Sequence, residues 1–261
     1  VFITYMFKIA ILIPSTTKGR NWSSIKESYL YNLTLKTFLL NKCKNNEYNF
    51  YIGYDDDDKI LSNISEQDFI KKFSTVFTDV TFKFISMKNI KKGHLTAMWN
   101  ILFKQAYDDN YDYFFQCGDD INFHTKNWIT DSIAILKSNN DIGISGPVNN
   151  NFRILTQVMV SRKHMEIFGW LFPEEIINWC CDDWYNIVYK PNHFFPLMNH
   201  FCSNEGGKPR YVINNDEKFT DIYNFRSNTE NLRQKTKILA EKHKKIILEY
   251  ILKCQQHSQE C

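Results

Sequence analysis

Apolar runs alternate with amphipathic helical stretches through the first 150 residues, and this alternation leaves few folds open to the chain. Lys8-Ile-Ala-Ile-Leu-Ile-Pro14 is a continuous apolar run stopped by proline, the pattern of a central strand buried on both faces. The polar loop Ser15-Thr-Thr-Lys-Gly-Arg20 follows, then a helical stretch over 23–40. Tyr48-Asn-Phe-Tyr-Ile-Gly-Tyr54 reads as a second strand and ends in Asp55-Asp-Asp-Asp58. A short helix is expected over 65–73, with Ser65 and Asp68 near its start, and Val80-Thr-Phe-Lys-Phe-Ile-Ser86 as a third strand. Beyond Gly93-His94, the residues Leu95, Met98, Trp99, Leu102, Phe103 and Ala106 share one helical face. A strand over 111–118, a helix over 128–136 and a short strand over 141–146 complete the series. Strand and helix in turn imply an α/β fold, a mostly parallel central sheet flanked by helices.

Ligands of such sheets gather at the carboxyl ends of the strands. Three of the expected strands end there in polar or acidic residues. The sharpest case is Tyr111-Asp-Tyr-Phe-Phe-Gln-Cys-Gly-Asp-Asp-Ile121, where an aromatic run stops at Asp119 and Asp120. Two acids beside a buried strand are costly unless positive charge sits with them. A divalent cation, Mg²⁺ or Mn²⁺, holding a phosphorylated substrate meets that need with few protein ligands. In the run 55–58 mutual repulsion turns most carboxylates to solvent, and Asp57 and Asp58 are expected there. Asp55 or Asp56, nearest the strand end, is placed to accept from a base imide N–H.

The second half is less regular. A strand is expected over 155–161, a helix over 162–169, a strand over 193–201, and a loop at Asn204-Glu-Gly-Gly-Lys-Pro-Arg210. Asn178-Trp-Cys-Cys-Asp-Asp-Trp184 sets Asp182 and Asp183 among aromatics, where a partly desolvated carboxylate can act as a general base. Residues 229–253 form a basic helix that packs back through one apolar face. The chain is expected to divide into a body of 1–225 and a helical extension of 226–261. The extension carries eight Lys/Arg against four Asp/Glu, and the body 24 against 25. With a net charge of only +3 the protein is not expected to bind nucleic acid.

Seven cysteines in no spaced pattern suggest free thiols. No apolar stretch is long enough to span a bilayer. The expected compartment is therefore the cytoplasm. The Lys-, Asn- and Ile-rich composition suits an AT-rich genome such as that of a large DNA virus or microbial parasite, whose protein would lie in the host's cytoplasm.

Several of these segments together resemble the GT-A glycosyltransferases, closest to their family-2-like inverting group, over about residues 8–190. The first run with Pro14, Ser15 and Thr16 resembles the family's first strand and base-binding loop. Tyr51-Ile-Gly-Tyr-Asp55-Asp56 resembles its second strand, and Lys92-Gly93 with the following helix resembles the segment before its acidic motif. Phe114-Phe-Gln-Cys-Gly-Asp119-Asp120-Ile resembles that motif, although Cys117 stands where the common pattern has its first Asp. Arg162 through Trp170 and then Asp182-Asp183-Trp184 resemble the acceptor-side segment, in which the second acid is the base.

The resemblance implies an enzyme that moves a sugar from a nucleoside-diphosphate donor, UDP expected, to a hydroxyl of a carbohydrate or other acceptor, with inversion. It implies donor contacts from Pro14, Ser15, Thr16, Thr17, Arg20, Asp55, Asp56, Lys92, Gly93 and Asp119. It implies Mn²⁺ or Mg²⁺ on Asp120 with a late His ligand, for which His193 and His200 are the two candidates and His200 is preferred, Asp183 as base, and Asp182 beside it positioning the acceptor. The rivals are a sugar nucleotidyltransferase, which wants a glycine- and arginine-rich first loop, and a non-catalytic carbohydrate-binding domain of the same fold.

Overall fold

A computed structural model describes residues 7–151, 153–207 and 210–259 of the chain. Eight strands form one sheet in the order β3-β2-β1-β4-β7-β6-β8-β5. The first four are β1 (Lys8–Ser15), β2 (Glu47–Tyr54), β3 (Val80–Ser86) and β4 (Tyr113–Gln116), and their three pairings are all parallel. The remaining strands are β5 (Ile121–Phe123), β6 (Ile144–Val148), β7 (Val158–Ser161) and β8 (Phe194–Asn204). β7 runs antiparallel to β4 and β6, β8 parallel to β6, and β5 antiparallel to β8. The expected α/β architecture, mostly parallel and flanked by helices, is the one observed.

Each face of the sheet carries its own core because successive strand residues point to opposite sides. Ala10, Leu12, Tyr51 and Phe114 pack under α3 (Leu95–Asp108), α6 (Cys181–Tyr189) and the terminal helix α7 (Phe225–Gln259). Ile9, Ile11, Ile13, Phe50 and Phe115 pack against α1 (Lys36–Asn41) and α4 (Trp128–Lys137). The short helices α2 (Ile64–Lys71) and α5 (Arg162–Phe168) complete the layers. α7 lies against α5 and α6, and its Leu239, Ala240, Ile246, Ile247, Tyr250 and Ile251 join the core.

The stretch 23–40 is not one α-helix. It begins as a 3-10 turn at Ile25–Glu27 capped by Ser24, passes through a π-helical Leu30–Leu35, and becomes α-helical only in α1. Side-chain bonding across the fold accompanies this change. Thr34 Oγ1 accepts from Ile121 N at 2.9 Å and donates to Gly118 O at 3.3 Å, while Thr37 Oγ1 accepts from Phe123 N at 3.0 Å. A wide π turn at a functional position is a recurrent device. Here it pins the backbone on both sides of Asp119 and Asp120.

The six described cysteines are free thiols. No helix of the structure is long and apolar enough to cross a membrane.

Candidate functional site

The carboxyl ends of β1, β2 and β4 lie side by side, because β1 pairs in parallel with both of the others. The loop after β1 and the turn after β4 therefore meet. Ser15 Oγ donates to Asp119 Oδ2 at 2.7 Å, and Thr16 N donates to the same oxygen at 3.4 Å. Arg210 closes on both carboxylate oxygens, with Nη1 3.0 Å from Oδ2 and Nη2 bonded to Oδ1. Its Nη1 also donates to Thr16 O at 2.5 Å. Arg210 and Asp119 are 11% and 5% exposed at their side chains, so this pair is held largely out of water. Arg20 donates to Gly206 O at 3.3 Å, and both guanidiniums lie over the Tyr29 ring, at 5.6 and 5.5 Å.

Asp120 is in the opposite situation. Its backbone carbonyl accepts from Glu205 N at 3.0 Å, but its carboxylate makes no ion pair or hydrogen bond with another side chain among the described residues. Burial raises its pKa, and the Asp119 charge raises it further, while Arg210 and Arg20 partly offset both. The backbone of 205–207 crosses directly above it. A Cβ on Gly206 would stand 1.9 Å from Asp120 Oδ2, so only glycine lets the segment lie there. A buried carboxylate short of positive charge suits a divalent cation. One carboxylate suits Mg²⁺ or Mn²⁺ held mainly through phosphate and water oxygens, and not an all-protein cage. Among the described residues no three His, Cys, Asp or Glu side chains converge to form such a cage.

His200 is not brought to Asp120. In the antiparallel β5–β8 pair Asn204 faces Ile121, so His200 lies four residues further along β8, about 13 Å away at strand rise. Its Nε2 is 2.7 Å from Asp131 Oδ2 and its Nδ1 3.3 Å from Thr125 Oγ1. The expected metal role for His200 is therefore corrected to a surface pairing.

The run 55–58 also departs from expectation. Asp58 is not solvated but fully buried. It accepts from Thr17 N at 2.6 Å, Thr17 Oγ1 at 2.6 Å, Thr16 Oγ1 at 3.1 Å, Ile60 N at 3.2 Å and Leu61 N at 3.0 Å. This one carboxylate fixes the shape of the loop after β1. Lys18 and Lys92 gather the other three acids. Lys18 Nζ is 3.3 Å from Asp55 and bonds Asp57, while Lys92 Nζ bonds Asp56 and lies 2.9 Å from Asp57 and 3.8 Å from Asp55. Repulsion within the run is relieved by two lysines rather than by water alone. Asp57 is held down at about 2 by its hydrogen bonds to Lys18 and Lys92.

Asp182 and Asp183 occupy the first turn of α6 and diverge. Asp183 faces α7, with Oδ1 3.6 Å from Arg233 Nε. Asp182 is pushed up to about 6 by burial and then by the Asp183 charge. Its charge is felt at the Tyr211 phenol together with that of Asp120, and both push the phenol upward after burial does so. Tyr211 follows Arg210 directly in the chain. Tyr211 also packs on Gly93, whose φ of +77° is open to glycine at little cost, and where a Cβ would meet Asn215 Oδ1 at 2.7 Å and Tyr211 Cβ at 3.5 Å. The buried Asn178 locks this corner, donating to Gly93 O at 2.9 Å and Val212 O at 3.1 Å and accepting from Asn214 N at 2.8 Å.

The structure thus brings together Pro14, Ser15, Thr16, Thr17, Arg20, Asp119 and Asp120, with Asp55 and Asp56 on the loop after β2 and Lys92, from the loop after β3, paired to them, and with Gly93 beside Tyr211. Four contributors escaped the sequence reading: Asp58, Asn178, Arg210 and Tyr211. The Gly206-Gly207 pair just before Arg210 was the one available signal, since glycines let a backbone approach closely.

No family model matches the chain, and no curated protein matches it in sequence. Solved structures do. The crystal structure of S. aureus TarS matches 75% of this chain and 36% of its own, with a TM-score of 0.52 at 12% identity. The fold is GT-A-like. TarS 1–349 in complex with UDP gives 0.51 at 13% identity over 76% of this chain and 60% of its own. The complex with UDP-GlcNAc gives 0.52 at 15% over 79% and 62%. The chain spans less than two thirds of each of these structures. At such identities the likeness is one of fold, and the GT-A-like frame is what sets Asp119 and Asp120 at the sheet's carboxyl edge.

Proposed function

We propose that the protein is a glycosyltransferase that uses a nucleoside-diphosphate sugar, with UDP as the nucleotide, and inverts the anomeric centre. One observation carries this reading: the 15–17 loop, Asp119, Asp120 and two arginines converge at one sheet edge. Support for UDP comes from the GT-A-like neighbour, whose structures include complexes with UDP and with UDP-GlcNAc.

The loop held by Asp58 and the side of Asp55 flank the base. Asp119 accepts from the sugar or ribose hydroxyls. Arg210 and Arg20 bring positive charge to the diphosphate, where preorganised charge lowers the barrier to departure. Asp120 would hold Mg²⁺ or Mn²⁺, which when bound supplies further charge at the leaving group. We assign the base to Asp182 rather than Asp183, because Asp183 is engaged by Arg233 while Asp182 keeps a raised proton affinity near the acids. Asp182 takes the acceptor hydroxyl proton as that oxygen bonds to the anomeric carbon. The bond from that carbon to the diphosphate oxygen breaks, and its electron pair leaves with UDP.

The test is release of UDP from a panel of UDP-sugars with Mn²⁺ and a mixed hydroxyl acceptor pool. Release that disappears in Asp182→Asn supports the reading, whereas no release from any of the UDP-sugars overturns it.

A further inference from the structure

Away from the acid pair, a cavity of about 550 Å³ lies between the 170–175 loop and α7, lined by Trp170, Pro173, Glu174, Glu175 and His243. Its volume is within the usual range of small-molecule sites, about 300–1,000 Å³. The floor is aromatic. Trp170 is half-buried, stacked on Phe168 at 5.1 Å and tilted against Trp184 at 5.3 Å and His243 at 5.5 Å, which holds its ring rigid. The wall is hydrogen-bonding. Trp184 Nε1 donates to His243 Nδ1 at 3.2 Å, which makes Nδ1 the acceptor and leaves the proton of the neutral ring on Nε2. Burial lowers the His243 pKa and keeps that ring neutral at physiological pH. Glu174 and Glu175 are exposed and add two carboxylates.

A fixed aromatic face, one N–H donor and two carboxylate acceptors match a pyranose. Its C–H face lies on the ring, and its hydroxyls make charge-assisted bonds to carboxylates. A metal ion is a poorer match, since no three His, Cys, Asp or Glu side chains in the described residues are arranged to bind one. The cavity is also joined to the proposed reaction centre. Trp170 packs on Trp184 at 5.3 Å, and Trp184 stands two residues beyond Asp182 in α6. Yet it stands apart from that centre. His243 lies ten residues beyond Arg233 on α7, about 15 Å along the helix from the residue that holds Asp183.

We propose that this cleft is a distal acceptor subsite, so that the acceptor is an oligosaccharide or polysaccharide long enough to reach both Asp182 and Trp170. The proposal rests on the glycosyltransferase reading above.

The test is calorimetric titration of the full chain with chitotriose, maltotriose and cellotriose, and with the corresponding monosaccharides, in the absence of UDP and metal. At least one trisaccharide is expected to bind more tightly than its monosaccharide. Trp170→Ala should weaken that binding about tenfold or more, the loss of one good aromatic contact, while Trp170→Phe largely restores it. Glu174→Gln, at an exposed position that leaves the fold untouched, should weaken it as well. UDP affinity should not change in any of the three. Failure of all three trisaccharides to bind overturns the proposal, as does undiminished binding in both Trp170→Ala and Glu174→Gln. Loss of UDP binding in the unsubstituted protein would instead strike the glycosyltransferase reading.

Discussion

Arg210 closes on Asp119 from 91 residues away, with Nη1 3.0 Å from Oδ2, and so is tied to the carboxyl ends of β1 and β4. Removing one partner of a buried ion pair leaves the other charge uncompensated. Arg210→Ala is expected to cost about 3 kcal/mol. It should lower Tm and weaken UDP binding together, whereas Arg210→Lys should recover part of the stability but lose the two-point grip. Thermal unfolding and UDP titration of the two variants check this, and an unchanged Tm in Arg210→Ala would count against a stabilising pair.

Asp58 and Asp57 are neighbours with opposite roles. Asp58→Ala strands buried donors of Thr17 and Leu61 and should destabilise the protein by about 3 kcal/mol. The same change should loosen the loop that carries Ser15 and Thr16. Asp57→Ala touches an exposed side chain and should leave Tm unchanged. Comparing the two melting curves decides the matter.

Asp120 is kept at a cost to stability. Its folded pKa is raised, so its stabilising contribution is complete below the unfolded carboxylate value and is lost as pH rises through about 6. At pH 8 the charge is present and unpaired among the described residues. Asp120→Asn should therefore stabilise the protein at pH 8, by on the order of 1–3 kcal/mol and with a higher Tm, and stabilise it little at pH 4. The same variant should lose metal-enhanced UDP binding. A Tm gain equal at both pH values would contradict the electrostatic cause.

Asp182 must be ionised to act as base. With its pKa near about 6, kcat/KM should rise with pH through that value and level off above it. Asp182→Asn should lower turnover by about 10²–10⁴-fold without weakening UDP binding. Asp183→Asn should act mainly on stability, by loosening α6 from Arg233 of α7. A larger turnover loss in Asp183→Asn than in Asp182→Asn would return the base to Asp183.

Much of this architecture is legible in the sequence because it is written in local periodicity. The run at 8–14, the helical face from Leu95 to Ala106 and the strand before Asp119 depend on neighbours in the chain, and each is found where expected. What escaped depends on partners far away. Asp58 reads as one more exposed acid until the amides of Thr17 and Leu61 are seen around it. His200 reads as a ligand until the β5–β8 register sets it against Thr125 and Asp131. The 23–40 segment has helical composition throughout, but Thr34 and Thr37 bond to β5 and its turns widen. Arg210 lies in an irregular segment, and no periodicity leads from it to Asp119.

The central claim is that the edge formed by Ser15, Asp119, Asp120 and Arg210 holds a nucleoside diphosphate. Calorimetric titration of UDP into the protein, with and without Mn²⁺, tests it most directly. The account predicts saturable UDP binding that strengthens with Mn²⁺, falls by about tenfold or more in Asp120→Asn, and is unchanged in Asp182→Asn. No UDP binding by the unsubstituted protein, or equal Mn²⁺-enhanced binding by Asp120→Asn, would contradict it.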